Sequence, residues 1–209
     1  MDVITSLKWR YATKNFDNKR VLAASKLKVL TEAFNLTATS YGLQPLKLVV
    51  ISNKELQNQL LEASMNQRQV VDASHLLILC IEKTVKGKYV NTYFDRVKEK
   101  RNTPEPILKP FREMLEGKFD NQNSEETRNW AINQAYLALG NLLTVCALEK
   151  IDSCPMEGFE PAKYDAILNL KEYDLEAVLV LPVGYRAADD MFADFEKVRR
   201  PQDETIINL

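Results

Sequence analysis

Three apolar runs stand out along the chain: LKLVVIS at 46–52, LLILCIE at 76–82 and AVLVLPVGY at 177–185. A strand with one face in water alternates apolar and polar residues. The second and third runs do not, so both of their faces are expected to be covered by helices. Between them the spacing turns helical. LAASKLKVLTEAFNL (22–36) carries apolar residues on one side. NKELQNQLLEAS (53–64) follows Ser52 with Glu55 three residues on, which predicts a capping box. KGKYVNTYFDRVKEKR (86–101) and PILKPFREMLEGK (106–118) predict two more helices, the second entered or interrupted at Pro110.

The longest helical stretch is 125–150. Ser124 is placed to cap it, and Glu125 and Glu126 suit the positive end of its dipole. From Trp130 to Leu148 it is apolar nearly all round, so it needs cover on more than one side. Packing within the chain and a homodimer axis along the helix both supply that cover. A few strands among many helices, without regular alternation, predict an α+β fold in one domain spanning 1–209. The last segment, ADFEKVRRPQDETIINL, has too few apolar residues for a core of its own and is expected to wrap over a surface.

Composition narrows the chemistry. Lys plus Arg number 28 against 29 Asp plus Glu, a net charge of −1, which lacks the basic excess of a nucleic-acid binder. With 6 glycines there is neither a P-loop nor a dinucleotide fingerprint. Cys80, Cys146 and Cys154 are an odd set without a C-x-x-C spacing, two of them inside apolar runs. They read as reduced packing residues, which suggests a cytoplasmic protein. A single histidine, His75, with no Cys/His cluster, predicts no metal site. The first ten residues have no signal-peptide core, and no run was expected to suffice for a membrane span.

Two stretches then raise one question. WRYATKNFD (9–17) sets Arg10 and Lys14 four residues apart, and EKVRRP (196–201) brings Lys197, Arg199 and Arg200. Unpaired cations of this kind suit a small anionic ligand.

Taken in order, the Arg-x-x-x-Lys-x-Phe opening, SYGLQP (40–45), NQRQVVDASH (66–75), PMEGF (155–159), LPVGY (181–185) and KVRRP (197–201) resemble the FMN-dependent nitroreductase family. The likeness is closest to its oxygen-insensitive NAD(P)H nitroreductase and flavin reductase branch, and it runs over nearly the whole chain. It implies a central, mostly antiparallel sheet surrounded by helices, with the C-terminal tail exchanged across a homodimer. It also implies one FMN per subunit, NADH or NADPH as electron donor, and nitroaromatic, quinone or flavin acceptors reduced by a ping-pong hydride transfer.

Residue by residue, the resemblance implies that Arg10, Lys197 and Arg199 hold the FMN phosphate, while Lys14 lies at the ribityl chain and the N1/O2 edge. Asn66 and Gln69 would hold the ribityl hydroxyls and pyrimidine edge. Thr39, Ser40 and Gly42 would reach the flavin of the other subunit. Pro155, Met156, Glu157 and Gly158 would lie over the ring, with a backbone N–H near Glu157 facing N5. Phe111 is the matching substrate-wall residue. No side chain is required as acid or base; Lys14 and the Glu157 backbone tune the flavin. Tyr11 and Ala12 stand where relatives often carry His or Arg and then Ser, so a hydroxyl contact to the phosphate is lost. Ala38, Gly42 and Leu46 also depart from the family pattern. The alternatives are a flavin binder without turnover, or a reductase of a small enone, aldehyde or halogenated substrate.

Overall fold

The structure is a computed structural model and describes residues 2–209. Its centre is a four-stranded antiparallel sheet in the order β1-β2-β4-β3, formed by β1 (Leu46–Ile51), β2 (His75–Glu82), β3 (Asp152–Ser153) and β4 (Leu175–Gly184). The two continuous apolar runs are the two central strands, as their composition predicts. Along β2, Leu76, Ile78 and Cys80 enter one core and Leu77, Leu79 and Ile81 the other. On β4 the alternation slips: Leu79 pairs with Leu179 but Cys80 pairs with Ala177, so Val178 is an extra residue. Such a bulge resets the parity of a strand. Leu175 and Ala177 accordingly face one core, while Leu179, Leu181 and Val183 face the other.

One layer over the sheet comes from α3 (Lys54–Gln59), α4 (Gln69–Asp72) and α8 (Pro161–Ile167). There Leu60, Val70, Phe159 and Tyr164 are buried. The other layer is α7 (Ser124–Leu148) with α2 (Ala24–Asn35); Ala131, Ala135, Ala138, Leu142 and Cys146 of α7 meet the sheet. Alanines at these spacings let a long helix lie close to the strands. α1 (Val3–Trp9) packs on α7, and Asp2 caps it by accepting from Thr5 N–H at 3.0 Å. α5 (Gly87–Arg101) and α6 (Glu105–Asn121) form a hairpin with a small core of its own, Val90, Phe94, Leu108, Leu115 and Phe119. The short α9 (Gln202–Thr205) lies in the exposed tail.

Several boundaries differ from expectation. Asn53, rather than Ser52, caps α3 by accepting from Leu56 N–H at 2.9 Å, and the helix stops at Gln59 before a separate turn at 62–64. Asn123, rather than Ser124, caps α7, accepting from Glu126 N–H at 2.8 Å. Pro110 neither opens nor breaks α6: the helix begins after Pro104 and runs through it. α7 is by length and composition apolar enough to cross a membrane, contrary to expectation. Its inner face is nonetheless part of the core. Its outer face carries Asn133, Tyr136, Leu137, Gly140 and Thr144, so the helix is less uniformly apolar than its run of hydrophobic letters suggested.

Candidate functional site

After α1 the chain leaves the helix at Arg10, whose backbone is extended and whose N–H still bonds to the Ser6 carbonyl at 3.1 Å. It then runs beside β3. Ala12 forms a parallel bridge to Ser153, Thr13 N–H donates to the Ser153 carbonyl at 3.2 Å, and Phe16 bridges Arg186. The cation segment is thus a short extension of the sheet edge next to β3, held by backbone pairing.

The tail returns to the same place. Lys197 Nζ donates to the Arg10 carbonyl oxygen. Burial, and after it the Arg199 charge, pull the Arg10 guanidinium below its usual value. Lys197 is pulled down by burial first and then by Arg10, Arg199 and Arg186. The two ends therefore converge, as the sequence implied. Among the described residues, no ion pair includes Arg10, Lys14, Lys197 or Arg199. Arg10 Nε is buried without a hydrogen-bond partner. Cations gathered with no ion pair among them, one donor orphaned, fit a multiply charged anion such as a phosphate.

Cys154 connects this cluster to the rest of the predicted site. Burial raises its thiol, helped by Asp190, while Lys14, Gln69 and Arg10 work to lower it. Gln69 is buried, whereas Asn66 is exposed and follows Met65 in left-handed backbone, φ 57° and 54°. The loop 155–159 meets this segment: Gln67 Nε2 donates to the Gly158 carbonyl at 2.8 Å. A Cβ at Gly158 would stand 3.1 Å from that same nitrogen, so glycine lets the two loops close together. Pro155 is half-buried between them. Met156 exchanges backbone bonds with Val180 at 2.8 and 3.1 Å, and its side chain is 4% exposed in the core. It offers backbone rather than a side-chain face. Glu157 is exposed and accepts from Tyr136 Oη at 2.7 Å.

The remaining predicted residues sit elsewhere in the single chain. Ser40 N–H donates to Gln134 Oε1 at 2.8 Å, and Thr39 Oγ1 accepts from Gln44 N–H at 3.0 Å. Gly42 has φ +72°, and a Cβ there would fall 2.7 Å from Tyr93 Oη. Glycine at this departure from the family pattern is therefore matched to the Tyr93 hydroxyl. Phe111 is 43% exposed on α6 and meets Phe94 edge-on at 5.7 Å. Among the described residues neither group shares a hydrogen bond or ring contact with the cation segment.

Sequence reasoning missed the residues that support the cluster. Arg186 donates through Nε to Asp152 Oδ1 at 2.6 Å and through its N–H to Oδ2 at 2.9 Å. Its guanidinium also lies 4.5 Å from the Trp9 ring centroid and 4.4 Å from that of Tyr11. Asp190 accepts from Tyr11 Oη, Lys14 N–H and Asn15 N–H at 2.9, 2.9 and 3.2 Å. Burial works to raise the Asp190 carboxyl, but the donated bonds outweigh it and hold the group below the usual carboxylate range. Its contribution is thus fully present above the ordinary carboxylate pKa and is lost as pH falls through the lowered value. The only local signal was the charged YRAADD stretch directly after the last strand.

Comparison with known proteins identifies the family. The family model described as "Nitroreductase family" matches residues 7–185. A Staphylococcus saprophyticus protein provisionally named an NAD(P)H nitroreductase is 31% identical over 98% of this chain and 95% of its own length. The oxygen-insensitive NAD(P)H nitroreductase of Salmonella typhimurium is 26% identical over 100% of both chains. A chain from Exiguobacterium sibiricum, solved in complex with FMN, superposes with a TM-score of 0.84 at 20% identity, covering 100% of this chain and 98% of that one. With the family model matched over most of its length and a relative 31% identical over nearly all of it, the chain belongs to the nitroreductase family.

Proposed function

We propose that the protein is a cytoplasmic, FMN-dependent oxidoreductase, folded as one unit, that oxidises NADH or NADPH and reduces small planar acceptors in a ping-pong cycle. Nitroaromatics, quinones and free flavin are the acceptor classes. The observation that carries this reading is the meeting of Arg10, Lys197 and Arg199 from opposite ends of the chain with no carboxylate among them. When bound, FMN supplies the hydride-transferring ring. Arg10, Lys197 and Arg199 would hold its phosphate. Lys14, unpaired and half-buried, would place positive charge where the reduced ring becomes anionic. Asn66, Gln69 and the 155–158 backbone would hold the ring's polar edge.

The test is optical and electrochemical. Purified protein is expected to take up FMN and to bleach under argon on addition of NADH or NADPH; protein that stays yellow is a flavin binder without turnover. Lys14→Met is expected to retain much of its FMN while lowering the midpoint potential of the bound flavin. An unchanged potential in that variant removes Lys14 from the tuning role.

The assembly reading is a homodimer with exchanged tails. Three features support it. Among the described residues the outer edge of β1 is unpaired, and a groove of about 710 Å³ runs along it, lined by Leu48, Val50, Leu56, Leu168 and Tyr173. Ile206 and Ile207 of the tail are 53% and 84% exposed. On α7, Leu137 is 55% exposed and Gly140 has nothing near its Cβ position. A second copy's tail would complete the sheet edge, and Thr39, Ser40, Gly42 and Phe111 would meet the partner's flavin. Charges at Leu139 and Leu143 would not test this, because Leu139 is buried in the chain's own core and Leu143 packs against it. Leu137→Glu with Gly140→Glu is expected to yield folded monomer with poor FMN retention. Sedimentation of the parent at sub-micromolar concentration as an FMN-loaded monomer would instead withdraw the dimer and its cross-chain contacts.

A further inference from the structure

We infer that Asp190 is a positioning residue that locks the Lys14 segment and the returning tail into one anion site. The inference rests on the cofactor reading above and adds a residue to it. Asp190 lies six residues beyond β4, where Ala187 N–H donates to the Asn15 carbonyl at 2.9 Å and keeps the two segments side by side. Its side chain is 3% exposed. One carboxylate oxygen, Oδ2, receives Tyr11 Oη at 2.9 Å, Lys14 N–H at 2.9 Å and Asn15 N–H at 3.2 Å. The other, Oδ1, receives Phe192 N–H at 3.2 Å.

No cation pairs with this buried carboxylate among the described residues. It is satisfied by donors from the polypeptide itself, as an acceptor-only group can be. Those donors belong to the two segments that carry the site. Lys14 and Asn15 fix the cation segment. Phe192 lies in the turn Met191–Asp194, which leads to Lys197, and Lys197 bonds back to the Arg10 carbonyl. The bonds close a circuit: Asp190 to 11–15, along the chain to Arg10, across to Lys197, and back through 192. A single carboxylate therefore sets where the Lys14 ammonium starts from and where the tail turns. An asparagine has the same shape but only one acceptor oxygen, and its NH₂ would face donors.

Asp190→Asn and Tyr11→Phe decide the matter; the second removes one donor and keeps the carboxylate. Three quantities are read in the full-length protein: amide exchange at Lys14 and Asn15 without FMN, the FMN dissociation constant from fluorescence quenching, and the flavin midpoint potential. Loss of charge-assisted bonds is expected to speed exchange at both amides in Asp190→Asn and to weaken FMN about tenfold. The potential is expected to shift as Lys14 loses its fixed place. Tyr11→Phe is expected to show smaller changes in the same direction, and it carries the test should Asp190→Asn fail to fold. Faster exchange with unchanged FMN affinity and potential in both variants overturns the positioning role, leaving a fold contact. Unchanged exchange overturns the geometry. A parent protein that protects both amides yet takes up no FMN overturns the cofactor reading, whereas a parent that binds FMN no better than Asp190→Asn overturns this inference alone.

Discussion

Arg10→Ala is expected to weaken FMN retention by roughly 10- to 150-fold, the equivalent of about 1.5–3 kcal/mol for a hydrogen bond to a charged group. The guanidinium has a buried Nε with no partner in the protein and no carboxylate to neutralise it. Its fork is therefore free for a phosphate, and nothing among the described residues competes for it. Removing it leaves Lys197 and Arg199, which are exposed and so act through a screened field. Arg10→Lys keeps the charge but loses the two-pronged geometry, and is expected to fall between parent and alanine. Equilibrium dialysis measures all three. Equal retention in parent and Arg10→Ala would remove the phosphate from this corner of the fold. The same substitution should relieve repulsion felt by Lys197, so the FMN-free protein is expected to lose little stability.

Arg186→Ala is expected to have the larger effect on folding, about 3–5 kcal/mol, the usual result of stripping one partner from a buried charge pair. The Asp152 side chain is 6% exposed and that of Arg186 21%. Without the guanidinium, Asp152 keeps only the Arg186 backbone N–H as a donor in this pair. The stacking of Arg186 on Trp9 and Tyr11 is lost as well. That stacking joins α1 to the end of β4, so the damage should reach the cation segment. Urea unfolding of the single variant and of Asp152→Leu with Arg186→Met separates the causes. The double variant removes both charges and is expected to be the more stable of the two. If it is no better than Arg186→Ala, packing on the rings rather than the stranded carboxylate dominates.

The two central strands were legible because a run such as LLILCI has no polar position to give to water. Burial on both faces was the only reading, and the structure has it so. The cation pairs were legible only through the ordered match of motifs, since four basic residues split between the ends of a chain carry no local pattern. Caps slipped by one residue because Ser52 and Asn53, or Asn123 and Ser124, offer nearly equal side chains for the same task. Pro110 misled because Pro104 and Pro106 already open the helix, leaving a proline that α6 accommodates within its length. Asp190 and Arg186 were invisible for a different reason. Arg186 reaches a partner 34 residues away and Asp190 one 179 residues away, and a lone charged residue in a loop does not announce its distant partners.

That separation has a kinetic side. The sheet itself pairs β2 with β4, a hundred residues apart along the chain, and the Lys197–Arg10 bond spans 187 positions. Contacts of such range must wait for large loops to close, so they form late and slowly. The cation cluster cannot assemble before β4 has joined the sheet and its following segment has folded back along residues 11–15. A partly folded chain would thus have a nearly complete core yet no place for an anion. FMN would act on the last step of folding only, slowing its reversal without hastening the early collapse.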